Sequence, residues 1–183
     1  YRGERLLKEF DADLGTFLAG EMKNKGMQIR LRSSIERIAR DAQGGGLRAT
    51  LADGNALETD CVMYATGRAP NTRGLGLEHA GVNLSASGAV VVDEKFQSSV
   101  PSIYAVGDVI DRVQLTPVAL AEGMVVAEQL FGTGARSLDY EGIPTAIFSN
   151  PNIGSVGLSE AKARERVGGV DVYRTTFVSL RHQ

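Results

Sequence analysis

Three short stretches carry side chains whose type and spacing suit the binding of a nucleotide. The first is "SIYAVGDVID", residues 102–111, in which an apolar run ends on Gly107-Asp108. A carboxylate is costly to bury without partners. Asp108 therefore either caps the element that follows or reaches outward to accept hydrogen bonds from something polar, such as a sugar hydroxyl. Further on, Thr116 stands before Pro117 at the start of a predicted helix. The free amides and positive dipole end of such a helix suit a polar or anionic edge; a simple cap is the competing reading. The second stretch is "YATGRAPN", residues 64–71. Ligands of open α/β sheets bind outside strand ends, and Gly67 permits an approach that a Cβ would block. The competing reading is a strand-to-loop turn with Arg68 as a surface charge. The third, "YRGERLLKEFD", residues 1–11, sets Arg2, Arg5 and Lys8 just before a helix. In a dinucleotide-binding fold the corresponding loop meets the adenosine ribose, and basic residues there accommodate a 2′-phosphate. The planar fork of arginine suits that anion. A solvated basic surface is the alternative.

Periodicity supplies the elements that must hold these residues. Asp11 to Lys25 reads as a helix, with Leu14, Phe17, Leu18 and Met22 on one face, Asp11 as N-cap and Gly26 as its end. "MQIRLR", "SIERIARD" and "GLRATLAD" alternate and read as strands, the last two joined through "QGGG". Asp53-Gly54 marks a tight turn. "CVMYA" is nearly continuous apolar, as expected of a strand covered on both faces, which places Cys61 in the core. "RAPNTRGLGLEHAG" reads as a loop with a short helical turn, carrying His79 at the surface. "GAVVVDE" reads as a strand and "SIYAVGD" as a second, buried one. "TPVALAEGMVVAEQLFG" reads as a helix with Leu120, Met124, Ala127 and Leu130 as its buried stripe. After the linker "DYEGIP", the segments "TAIFS", "IGSVGLS" and "VDVYRTTFVSL" read as strands, and "SEAKARERV" as a helix capped by Ser159.

Composition narrows the class. The chain has 183 residues, 43% hydrophobic and 23% charged, with a net charge of −2. That is the make-up of a soluble globular protein, without an electrostatic reason to bind nucleic acid or an acidic membrane. No apolar run approaches the roughly 20 residues of a membrane span. One cysteine excludes an internal disulfide or a CxxC pair and fits a reducing compartment. The chain opens on Tyr1 and stops at "LRHQ", so an internal piece of a mixed α/β protein is expected.

In order and spacing, "YRGERLLKEFD", "YATGRAPNTRGLGLE", "VPSIYAVGDVIDRVQLTPVAL" and "PTAIFSNPNIGSVGLSE" together resemble the pyridine-nucleotide-disulfide oxidoreductases over essentially the whole chain. Within that family they resemble the bacterial and plant branch that reduces glutathione disulfide. The resemblance implies an α/β protein: a partial three-layer FAD/NAD(P)-binding fold followed by the start of an α+β dimerisation domain. It implies that residues 1–70 are the C-terminal part of an NADPH-binding domain, 71–142 the second segment of an FAD-binding domain, and 143–183 the start of the dimerisation domain. By the same resemblance, Arg2 and Lys8 match the basic residues that grip the 2′-phosphate of NADPH. Gly3 departs from members with a basic or polar group there, which leaves Arg5 as a further contributor. Gly67 matches the glycine near the nicotinamide nucleotide. Asp108, with Gly107 beside it, matches the aspartate that binds FAD near its ribityl–pyrophosphate region. Thr116 matches the threonine whose backbone lies against the flavin ring.

The implied cofactors are FAD and NADPH, the implied partner is a second copy of the chain, and the implied location is cytoplasmic. The implied reaction passes a hydride from NADPH to FAD, then electrons to a cysteine pair, which reduces glutathione disulfide by thiol–disulfide exchange. The family's GxGxxG and CxxxxC motifs are not in the sequence, and His182 lacks the family's "HPT…E" context. No catalytic residue or metal ligand is therefore assigned, and the isolated chain is expected to lack disulfide reductase activity. Trypanothione, dihydrolipoamide and mercuric reductases are the related alternatives; the basic Arg2/Lys8 loop speaks against NAD-linked dihydrolipoamide enzymes. Outside the family, the alternative is a non-enzymatic α/β binding domain in which Asp108 and Thr116 are caps.

Overall fold

The computed structural model of the chain describes residues 1–41 and 45–177. They divide into two compact units, one made of Tyr1–Met63 with the segment from Pro144 onward, the other of Tyr64–Ile143.

In the first unit, α1 spans Ala12–Asn24. Asp11 caps it as expected, its Oδ1 accepting from the Asp13 N–H at 3.3 Å. The buried face is narrower than the expected stripe: Gly15 and Leu18 are buried, whereas Phe17 is exposed. The reason is the loop before the helix. Its backbone lies directly on Gly15, where a Cβ would collide with the Leu6 carbonyl oxygen, so the loop covers the Gly15–Leu18 side and leaves Phe17 out. Strands β1 (Ile35–Arg40), β2 (Leu47–Leu51) and β3 (Ala56–Thr59) form an antiparallel meander in the order β1-β2-β3. Ala49 and Leu51 on the central strand are buried. The expected turn between β1 and β2 lies partly outside the described residues. The Asp53-Gly54 turn forms, with Gly54 at φ +83° and Asp53 Oδ1 accepting from the Asn55 N–H at 2.9 Å.

Two expected strands that flank the meander do not form among the described residues. "MQIRLR" makes no ladder. It meets the N-terminal segment through single bonds, Arg32 N–H to the Gly3 carbonyl at 2.9 Å and Ser33 N–H to the Tyr1 carbonyl at 3.1 Å, and Arg32 turns away at φ +51°. "CVMYA" is not a buried strand either: Cys61, Met63 and Tyr64 are exposed. Its apolar pattern is that of a covered strand, but among the described residues no strand pairs with it, and an unpaired backbone does not make a sheet. Cys61 is therefore a surface thiol rather than a core residue. The unit closes with the hairpin of β4 (Thr145–Ile147) and β5 (Ile153–Ser155), then α3 (Glu160–Val167). Ser159 caps α3 as expected, its side chain accepting from the Lys162 N–H at 3.4 Å. Residues 171–177 form no strand, and the rest of the expected final strand lies outside the described residues.

The second unit packs around Val82, Val90, Phe96, Ile110 and Val125. "GAVVVDE" and "SIYAVGD" form no ladder; they meet their neighbours at isolated bridges, Leu84 with Val90, Val92 with Ser98, and Gln97 with Tyr104. A one-turn 3-10 segment, Gly107–Ile110, follows, and then α2, Thr116–Phe131. The stripe expected on α2 is corrected: Val118, Glu122 and Val125 face the core, while Leu120, Met124, Ala127 and Leu130 are exposed. "TPVALAEGMVVAEQLF" is apolar nearly all round, so helical spacing alone cannot choose a face. The choice is made by what packs on it, namely the Gly107 turn and Tyr140.

Candidate cofactor-binding site

In the second unit, the end of the "SIYAVGD" segment is held tightly against α2. Gly107 is buried at φ +74°, a conformation that L side chains rarely adopt. A Cβ there would stand 3.1 Å from the Ala119 Cβ, so the glycine also permits the close approach to the helix. Its N–H points inward and donates to Glu122 Oε2 at 2.6 Å. The side chain that follows faces solvent. The Asp108 carboxylate is 55% exposed, and its near neighbour is Arg68, with Nη1 3.9 Å from Oδ2.

The cap reading of Asp108 fails on this geometry. The 3-10 turn begins after Val106 without a side-chain cap bond, and α2 begins after Leu115, also without one. Thr116 is likewise exposed and is the first residue of α2, not its cap. Val118 and Ala119 donate to the Leu115 carbonyl at 3.0 Å each and Pro117 has no N–H, while the Thr116 N–H makes no hydrogen bond among the described residues. Gly67 is exposed at φ +107° with open space where a Cβ would be. Arg68, next to it, is the residue that the structure brings to Asp108. A carboxylate beside an arginine can hold hydroxyl and phosphate groups, and an unpaired helix amide can donate to a polar edge.

In the first unit, the basic loop is shaped by one of its own arginines. Arg5 donates from Nη1 to the Phe10 carbonyl at 3.2 Å and from Nη2 to the Lys8 carbonyl at 2.8 Å. Arg5 thus holds the backbone, and its fork is not turned to a ligand as the departure at Gly3 had suggested. Arg2 is exposed, and Lys8 pairs with the exposed Glu9 at 3.4 Å. Lys8 lines a cleft of about 400 Å³ with Arg5, Asp11, Ser159 and Lys162; Arg2 does not. Asp11 crosses this cleft. Its Oδ2 accepts from the Glu160 N–H at 2.7 Å, so one carboxylate caps both α1 and α3. Those two backbone donors, Glu160 first and Asp13 second, hold its pKa below the ordinary value, with Arg174 adding a smaller attraction.

Sequence reasoning missed Glu122 and Tyr140. Tyr140 donates its hydroxyl to Glu122 Oε1 at 2.6 Å, and Arg112 lies over the Tyr140 ring at 5.9 Å. The available signal was a single acid inside the apolar run "VALAEGMVV". Among the described residues, no group of three or more acidic, histidine or cysteine side chains could hold a metal ion, and no helix is long and apolar enough to cross a membrane.

Comparison with known proteins gives this arrangement its family. The family model of the pyridine nucleotide-disulphide oxidoreductases matches residues 1–123, and that family's dimerisation-domain model matches residues 143–183. The chain belongs to the pyridine nucleotide-disulphide oxidoreductase family. It carries part of this family's α/β FAD/NAD-binding fold and the start of its dimerisation domain. The chain is 46% identical to a glutathione reductase of Burkholderia cepacia, over 99% of its own length and 40% of that relative. It is 38% identical to a trypanothione reductase of Trypanosoma congolense, over its full length and 37% of that relative. Among solved structures it resembles the copper(II) complex of the HOCl-induced flavoprotein disulfide reductase RclA from Escherichia coli. That match has a TM-score of 0.83 at 30% identity and covers 91% of this chain and 37% of the other. The chain thus spans about two fifths of the length of the oxidoreductases it matches.

Proposed function

We propose that the complete protein is an NADPH-dependent flavoprotein disulfide reductase that reduces glutathione disulfide to glutathione, and that this chain supplies walls of its two cofactor sites. The observation that carries the reading is the Gly107-Asp108 turn: a backbone fixed from inside by Glu122 presents an uncapped, outward carboxylate beside Arg68. On this reading residues 1–70 belong to the NADPH-binding domain, 71–142 to the FAD-binding domain and 143–183 to the dimerisation domain. The working form is a homodimer in the cytoplasm.

The residues present suit these cofactors. Asp108 would accept hydrogen bonds from FAD hydroxyls near the ribityl–pyrophosphate region, and the Thr116 N–H would donate to the flavin edge. Gly67 would leave room for the nicotinamide nucleotide, where its missing Cβ meets open space. Arg2 and Lys8 would hold the 2′-phosphate, with Arg5 fixing the loop that carries them. When bound, the nicotinamide and flavin supply the two-electron chemistry that ends in disulfide reduction. This chain's own residues bind and orient.

Glutathione disulfide is favoured as substrate by the identity to the Burkholderia enzyme; the likeness to trypanothione reductase makes that disulfide the second reading. Steady-state assays on the full-length protein, with each disulfide and with NADPH against NADH, test the proposal. Efficient NADPH-linked turnover of glutathione disulfide supports it. A preference for NADH, or turnover of trypanothione disulfide alone, contradicts it.

A further inference from the structure

Glu122, the fully buried acid behind the Gly107-Asp108 turn, has no place among the proposed cofactor contacts. Glu122 has no exposed surface, and both of its oxygens are spoken for: Oε2 accepts from the Gly107 N–H and Oε1 from the Tyr140 hydroxyl, each at 2.6 Å. Burying a carboxylate is costly, and apolar side chains of similar volume commonly do as well or better for stability. A helix otherwise apolar on this side would be served by leucine. What leucine could not do is accept the inward Gly107 N–H.

We propose that Glu122 is a positioning residue for the flavin site: its carboxylate pins the Gly107 backbone against α2 and so aims the Asp108 carboxylate outward. This rests on the reading of Asp108 as an FAD contact. The clamp has two independent jaws. Ala119 and Glu122 are one turn apart on α2, and Gly107 meets both, through the 3.1 Å approach to the Ala119 Cβ and through its N–H. The far end of the clamp is braced in turn. Tyr140 fixes the other oxygen, and Arg112 lies over both the Tyr140 ring and the core Phe96 ring, at 5.9 and 5.4 Å. Burial first, and then the bond to Glu122, push the Tyr140 hydroxyl pKa up, which keeps it a proton donor to the carboxylate. Without the carboxylate, the buried Gly107 N–H would swing outward to find water, and Asp108 would rotate with it.

The test uses the full-length protein, stripped of flavin and titrated with FAD. Glu122→Leu should weaken FAD binding by about ten- to a hundredfold, the cost of turning the Gly107 N–H back inward without a partner, while the flavin-free protein, with that N–H turned to water, melts near the wild-type temperature. Glu122→Gln should recover most of the affinity, because its amide oxygen can accept from Gly107 and its NH2 can donate to Tyr140. Unchanged FAD affinity in Glu122→Leu overturns the proposal. So does a loss matched by an equal fall in the melting of the flavin-free protein, which is the signature of a packing role. Glu122→Met serves if the leucine variant does not fold, and failure of both to fold also overturns it. Asp108→Ala is titrated in parallel: undiminished FAD binding there removes the flavin-site reading itself, whatever Glu122 does.

Discussion

Asp11 offers a sharp test of how the basic loop is anchored. Its two oxygens cap two helices, Oδ1 the first turn of α1 through Asp13 at 3.3 Å and Oδ2 the first turn of α3 through Glu160 at 2.7 Å. Removing an N-cap carboxylate costs about 1 kcal/mol. The α3 bond is short and well placed, so its loss should cost near that value, and the longer α1 bond about half as much. Asp11→Ala should thus speed amide exchange at residues 160–162 by about fivefold and at residues 12–14 by about twofold. Hydrogen exchange read by mass spectrometry on the full-length protein measures both. The effect has a pH signature of fixed sign. Folding lowers the Asp11 pKa from 3.8, chiefly through the Glu160 N–H. Its contribution is therefore complete above the unfolded pKa and is lost as pH falls through the lower folded value. Wild type and variant should converge only in strong acid. Unchanged protection at residues 160–162 in Asp11→Ala at neutral pH would refute the double cap.

Three further outcomes follow from the same geometry. Gly107→Ala meets both a positive φ and the Ala119 Cβ at 3.1 Å, so it should cost about 1–3 kcal/mol of stability and weaken FAD binding, measured by urea unfolding and flavin titration. Arg2→Ala and Lys8→Ala should each raise the KM for NADPH several-fold and leave that for NADH unchanged; an unaltered preference between the two nucleotides would remove the phosphate-grip assignment. Gly15→Ala drives a methyl group into the Leu6 carbonyl, displacing the loop that carries Lys8, and should raise the KM for NADPH with little change in kcat.

The legible parts of the fold were those whose cause is local. Asp11 and Ser159 announced helix starts because capping depends on the next few residues, and both caps form. The Asp53-Gly54 turn and the pairing of β1 with β2 were legible for the same reason. What failed depends on distant partners. "CVMYA" has the apolar pattern of a covered strand, yet among the described residues nothing pairs with it and its Cys61, Met63 and Tyr64 are exposed. On α2 the spacing of Leu120, Met124 and Leu130 was as regular as that of Val118 and Val125; only the approach of Gly107 and Tyr140 decides which face is inside. At the candidate site, the strand-end carboxylate was legible from "GD". The buried acid behind it was not, because a glutamate in a helix ordinarily reads as surface. Arg5 shows the converse, a residue read as a possible phosphate ligand that spends its fork on two backbone carbonyls.

The central claim is that the Gly107-Asp108 turn is a flavin contact. It is tested most directly by the flavin content of the purified full-length protein and of its Asp108→Ala variant, read from visible absorbance per chain. The account predicts a yellow wild-type protein with one FAD per chain and a variant that keeps its fold but loses most of its flavin on dilution. A colourless wild-type protein, or a variant that retains flavin as firmly as the wild type, would contradict it.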